Sequence, residues 1–133
     1  YTAACYLRGF LGENRNIDDI AKDLDNFKKA SGSELYSSWI IFSEFILKKE
    51  KIDRQDAAKK HMFFDRLIAE YKPVVGKLPS PQKESLLMAM ASVQMDLNKK
   101  NEALELLQEI ISTHADGYFR NSAQYRQEMY EKR

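Results

Sequence analysis

The sequence contains little of what builds long loops, disulfide frameworks or membrane spans. Five glycines and three prolines among 133 residues leave little material for loops, a composition that suits long helices joined by short turns. A single cysteine, Cys5, excludes an internal disulfide framework. No apolar run reaches the roughly 18 residues of a transmembrane helix. We therefore expect one globular domain, with any signal peptide or anchor upstream of Tyr1.

The chain also lacks an excess of charge of either sign. The formal net charge is +1, and the basic run at residues 48–51 is interrupted by Glu50. Nucleic-acid-binding domains usually carry a basic face, which is absent here. Such short runs are typical of solvated helix ends, so we expect no nucleic acid partner.

Local motifs for catalysis, metals and cofactors are absent. His61 and His114 are the only histidines, and neither has a second ligand at metal-binding spacing. Nucleophile elbows, phosphate-binding loops and dinucleotide-binding glycines do not occur. We therefore expect no enzyme activity, metal or cofactor, and both histidines as ordinary surface or turn residues. A catalytic site assembled across the fold would leave no such motif and stays open.

Apolar residues recur at helical spacing along the whole chain, and strand-like alternation is absent. This predicts an all-α protein of about seven helices. We expect them near residues 2–11, 17–30, 34–49, 54–72, 81–97, 102–114 and 118–133.

Residues that start and stop helices set these boundaries. Asn16, Asp53 and Ser80 are the predicted N-caps, and Pro81 is expected at the first helical position. Pro73 should end the fourth helix because proline lacks the N–H group and clashes with the preceding turn. Residues 74–79 then form a loop or hinge.

Residues at repeat spacing make the chain resemble the tetratricopeptide family. Small residues would let paired helices approach closely at four sites: Ser43, Ala58, Ala91 and Ala103. Bulky or polar residues surround them at the pattern's other positions: Trp39, Phe42, Ile46, Met62, Leu87, Met90, Gln94 and Leu107. The resemblance implies a right-handed superhelical stack of antiparallel helix hairpins. It would form a single domain, 1–133, with approximate units 1–33, 34–78, 79–116 and a partial 117–133.

Two segments resemble one particular branch of the tetratricopeptide family. ASVQMDLNKKNEALELL at residues 91–107 and YRQEMY at residues 125–130 are similar to the periplasmic domain of the YfgM-like ancillary subunits of the bacterial Sec translocon. This implies a protein-interaction scaffold on the periplasmic side of the inner membrane that assists secretion or chaperone handover. The membrane would be reached only through a segment outside this chain. The alternative is a tetratricopeptide module of an envelope-assembly lipoprotein or of a cytosolic regulator.

In tetratricopeptide stacks a protein or peptide partner binds a groove lined by the first helix of each hairpin. Carried over by position, the groove residues are Ser37, Ile40, Glu44, Leu47, Ser85, Met88, Ser92 and Met95. Methionine adapts to different partner side chains, although Met88, Met90 and Met95 could instead fill core gaps. The last helix, with Tyr118, Phe119, Tyr125 and Tyr130, is aromatic enough to need a partner surface. Self-association, including a continuation folding back into the groove, therefore stays open.

Overall fold

The computed structural model describes residues 17–30, 36–114 and 117–133, and within these ranges every regular element is a helix. The all-α prediction is confirmed for this part of the chain. Six helices are described there against about seven predicted, namely α1 (Ile17–Lys29), α2 (Ser37–Asp53), α3 (Ala57–Val75), α4 (Gln82–Asp96), α5 (Lys100–Thr113) and α6 (Tyr118–Glu131). The predicted helix at residues 2–11 and the predicted cap Asn16 lie outside the described residues. The superhelical arrangement stays a prediction.

The chain forms two compact units, residues 1–63 and 64–133. Helix α3 contributes its first residues to the first unit and the rest to the second. The expectation of a single domain built from the repeat units 1–33, 34–78, 79–116 and 117–133 stays a prediction.

In the first unit, α1 and α2 pack on each other through an apolar cluster. Ile17, Ile20 and Leu24 of α1 are buried together with Leu47 of α2. Two half-buried residues of α1 extend this cluster, Ala21 and Phe27. The apolar residues of α1 recur every three or four positions, which places them on the one face that packs against α2.

The boundary between α2 and α3 differs from the prediction at Asp53. This residue ends α2 and does not cap α3; its carboxylate accepts a hydrogen bond from Lys49 Nζ at 3.2 Å and lies 3.2 Å from Lys60 Nζ. The Lys49–Asp53 pair spans one turn at the end of α2, which runs to Asp53 instead of the predicted residue 49. The carbonyl of Asp56 accepts the N–H groups of Lys59 and Lys60 at the start of α3.

Pro73 does not end α3, which continues to Val75. A proline removes one hydrogen bond, to the carbonyl four residues earlier. Here that carbonyl belongs to Ala69, and both Ala69 and Pro73 are exposed, so water can satisfy the group. The predicted stop is therefore displaced by two residues.

In the second unit α4 packs on α5, α5 packs on α6, and α4 also contacts α6. Fully buried apolar side chains come from all three helices. They include Leu86, Met90, Ala91, Val93, Ala103, Leu107, Ile110 and Ala123.

Three of the four predicted small-residue sites are fully buried, Ser43, Ala91 and Ala103. The prediction is wrong for Ala58, which is exposed near the start of α3. Met62, one turn later, is also exposed. The inward face of α3 begins only at Phe64, because the first turns of this helix do not enter the core.

The turn between α4 and α5 is shorter than predicted, since α5 already begins at Lys100. Asn98 adopts a left-handed conformation with φ of 58°. Its N–H donates to the carbonyl of Met95, and the Lys99 N–H donates to the carbonyl of Gln94. This pair of bonds is the Schellman motif, in which asparagine can replace the usual glycine.

Candidate partner-binding surfaces

One face of α4 is half-exposed and uncharged from Ser85 to Met95, and the exposed Asp96 follows on this face at the end of the helix. Ser85, Met88, Ala89, Ser92 and Met95 share this face at helical spacing, and each is of intermediate exposure. We call these five residues the α4 strip. They include all four groove residues predicted on this helix.

The α4 strip stands out because charged residues make up 31% of the chain. It extends about 15 Å from Ser85 to Met95 at 1.5 Å per residue. The three methionines of the helix divide between two roles: Met90 is fully buried, whereas Met88 and Met95 remain half-exposed. The core-filling alternative thus applies to Met90, and the other two can contact a partner.

The four groove residues predicted on α2 do not form a matching open face. Ile40 and Leu47 are each only 8% exposed, and Glu44 lies 3.3 Å from Lys28 Nζ of α1. Only Ser37 is fully exposed. The reason is that α1 covers this side of α2.

Glu44 and Leu47 instead line a cleft between α1 and α2. Its volume is about 200 Å³, and charged side chains from both helices surround it. The lining residues are Ala21, Leu24, Asp25, Lys28, Glu44, Leu47, Lys48 and Lys51. The two predicted halves of the groove therefore belong to different units, and only the half on α4 has the expected exposed apolar character.

A second exposed apolar surface lies on α6. The exposed fractions of Tyr118, Tyr125 and Met129 are 78%, 63% and 42%. At 100° per residue these three positions fall within a narrow arc of the helix. We call them the α6 stripe.

The opposite face of α6 packs into the second unit. Ala123 and Tyr130 are buried there, and Gln127 Nε2 donates to the carbonyl of Leu104 at 3.3 Å and to Oε1 of Gln108 at 3.2 Å. The aromatic residues of α6 noted in the sequence therefore divide into a buried and an exposed set.

A polar cluster around the buried Glu84 joins the start of α4 to the residue after α5. Glu84 is 2% exposed; its Oε1 accepts a hydrogen bond from Ser80 Oγ and lies 3.4 Å from His114 Nε2. Its Oε2 has no hydrogen-bond partner among the described residues. Ser80 was predicted to cap α4, but Pro81 occupies the cap position, and the hydroxyl bonds the carboxylate, a stronger acceptor.

The geometry of this cluster is not that of a nucleophilic triad. In a triad the histidine lies between the serine and the carboxylate, whereas here Ser80 and His114 both contact the same oxygen of Glu84. His114 follows the end of α5, in agreement with the predicted turn position, and its half-buried side chain lies beside the Glu84 carboxylate and 5.7 Å from the Phe119 ring. His61 is exposed as predicted. Residue spacing could not reveal this cluster, because its histidine is distant in sequence from its carboxylate.

A further ion pair links α3 to the turn before α5. Lys99 Nζ donates to Asp65 Oδ1 at 2.7 Å, and the two side chains are 41% and 43% exposed. The hydrogen bond to Asp65 raises the pKa of Lys99 above its usual 10.5. This pair anchors the residue that follows the left-handed Asn98.

Within the described ranges, no three histidine, cysteine, aspartate or glutamate side chains are grouped so that they could hold a metal ion. None of the described helices is long and apolar enough to cross a membrane. No family model, curated protein or solved structure matches the chain. The likeness to tetratricopeptide proteins rests on the residues quoted from the sequence.

Proposed function

We propose that this chain is a protein-interaction module whose contact surface is the α4 strip. The observation that carries the proposal is the half-exposed, uncharged row from Ser85 to Met95 on a helix whose remaining sides are largely buried. The proposed role is binding rather than catalysis.

The strip suits a partner that buries apolar side chains. Its length of about 15 Å equals nearly three turns of a partner helix or four to five residues of an extended segment. Met88 and Met95 offer flexible, polarizable contacts, and burying each would contribute up to about 1.5 to 3 kcal/mol. Ser85 and Ser92 can hydrogen-bond to a partner backbone.

The test replaces both methionines. Met88→Glu with Met95→Glu should weaken partner capture in a pull-down at least tenfold, because two charges would have to be desolvated in the contact. The melting temperature should stay nearly unchanged, since both side chains are half-exposed. Met62→Glu is the matched control, because Met62 is an exposed methionine outside the strip.

Two outcomes would contradict the proposal. A large fall in melting temperature would show that Met88 and Met95 belong to the core. Unchanged capture by a folded double variant would show that the partner binds elsewhere.

From the resemblance of residues 91–107 and 125–130, we further propose a setting in the bacterial cell envelope. There the module would assist secretion or chaperone handover on the periplasmic side of the inner membrane, with a membrane segment outside this chain. The full-length gene tests this setting. A single transmembrane helix upstream of Tyr1 supports it, whereas a lipoprotein signal or a fused cytosolic regulatory domain favours the alternative modules.

A further inference from the structure

We infer that the α6 stripe is a second docking surface, separate from the α4 strip, and that it binds an acidic amphipathic helix. This goes beyond the proposed function, which uses α4 alone. Tyr118 and Tyr125 are among the most exposed large apolar side chains of the described chain. An exposed row of this kind marks an interaction surface more often than single scattered apolar residues do.

The shape of the stripe favours a helical partner. From Tyr118 to Met129 it extends about 16 Å along α6, which is three turns of helix at 1.5 Å per residue. Ser122 lies between the two tyrosines on the same side and is half-exposed. Because the Ser122 side chain is small, an apolar side chain of a second helix can pack between the two tyrosines.

The charged residues beside the stripe indicate which charge the partner should carry. Arg126 and Lys132 are exposed and lie beside or just beyond the stripe on a helical projection, whereas the guanidinium of Arg133 lies over the Tyr130 ring, 5.4 Å from its centroid. Glu128 is the acidic residue of α6 nearest the stripe, since Glu131 lies toward the opposite side, where its carbonyl accepts a hydrogen bond from Lys100 Nζ at 2.9 Å. Basic groups therefore dominate the rim, and a partner with acidic residues beside its apolar face is complementary.

A second copy of the chain fits this surface less well. The exposed parts of Tyr118, Tyr125 and Met129 together amount to on the order of 400 Å² if each large side chain offers about 150 to 250 Å². A stable dimer usually buries about 800 Å² on each partner. Two copies would also bring their basic rims together, which opposes association.

The test uses two synthetic peptides with the same leucine stripe, one flanked by glutamates and one by lysines. Each carries a fluorescent label and is titrated with the full 133-residue chain while anisotropy is recorded. We expect the glutamate peptide to bind at least tenfold more tightly than the lysine peptide at low salt, and this preference to fall as salt increases.

Variants locate the binding. Tyr125→Glu should weaken binding of the glutamate peptide at least tenfold, and Arg126→Glu should reduce the preference between the peptides. The double variant Met88→Glu and Met95→Glu should bind as the natural chain does, which separates this surface from the α4 strip. Circular dichroism checks that each variant remains helical.

Three results would overturn the inference. Equal binding of both peptides would remove the charge argument, and unchanged binding by folded Tyr125→Glu would place the site elsewhere. Sedimentation showing a dimer that Tyr125→Glu dissociates would make a second copy the occupant.

Discussion

The two units fill the close-packed positions of their helices with different chemistry. In the first unit Ser43 is fully buried on α2, and its hydroxyl has no hydrogen-bond partner among the described residues. In the second unit Ala91 and Ala103 are fully buried on α4 and α5, the helices that pack on each other. All three side chains are small, but among them only Ser43 carries a polar group into the core, and that hydroxyl lacks a partner.

The second unit also buries polar groups, and two of their atoms, Glu84 Oε2 and Gln94 Oε1, have no hydrogen-bond partner among the described residues. Glu84 lies on the first turns of α4, where Ser80 and His114 contact one of its oxygens. The comparison shows that a small side chain suffices for close helix packing. The one partnered oxygen of Glu84 obtains its contacts from residues outside α4.

Enlarging the small residues should have the largest effect. Ala91→Leu or Ala103→Leu should lower the free energy of unfolding by about 1 to 3 kcal/mol through overpacking. Ala58→Leu, at an exposed position of the first unit, should stay within about 0.5 kcal/mol. Chemical denaturation measures all three. Equal effects at Ala58 and Ala91 would contradict close packing between α4 and α5.

Removing a partner of the buried carboxylate should have the next largest effect. His114→Ala should lower the free energy of unfolding by about 1 to 2 kcal/mol, because Glu84 would keep only Ser80 as a partner. In the Glu84→Gln background the same substitution should cost less, because no charge remains to be compensated. A double-mutant cycle measures this coupling, and additive effects would show that the two side chains do not interact.

Replacing the buried serine by alanine, and a buried alanine by serine, directly tests the difference between the two units. Ser43→Ala should raise the free energy of unfolding by up to about 1 kcal/mol, since it removes a buried hydroxyl that lacks a partner. Ala91→Ser should lower it by about 1 kcal/mol for the same reason. If Ser43→Ala were destabilising, the hydroxyl would have a partner in solution, and the two units would be chemically alike.

The smallest effect is expected at the Lys99–Asp65 pair, because exposed ion pairs are screened by solvent. Asp65 raises the pKa of Lys99 in the folded chain above 10.5. The ion pair therefore stabilises the folded chain fully below pH 10.5, and this contribution is lost as the pH rises through the pKa that Lys99 has in the folded chain. Melting temperatures measured over a pH series test this. The part of the fall in melting temperature at alkaline pH that comes from Lys99 should disappear in Lys99→Met, whereas it should persist in Lys77→Met, a change at an exposed lysine of the same unit.

Helical periodicity was enough to predict the six helices of the described residues, and the reason is physical. Ile17, Ile20 and Leu24 recur at a spacing that only a helix places on one face, and they are buried together. The predicted helix ends were wrong where the chain departs from the usual preferences for residues that stop a helix. Helix α2 runs on to Asp53, which pairs with Lys49 one turn earlier, and the exposure of Pro73 lets α3 continue.

The exposure of a candidate surface was predicted correctly only where it depends on the residues of a single helix. Met88 and Met95 are half-exposed because α4 directs its other sides inward. Leu47 at the corresponding position of α2 is buried, because α1 packs over it, and that packing could not be inferred from α2 alone. The contact of Glu84 with His114 likewise depends on how two helices meet.

The left-handed turn at Asn98 also bears on the order in which the second unit folds. Since Leu97, Asn98 and Lys99 alone connect α4 to α5, bringing these helices together costs little chain entropy. Contacts between neighbours in sequence form quickly, so this hairpin can assemble first and present a surface on which α6 then docks.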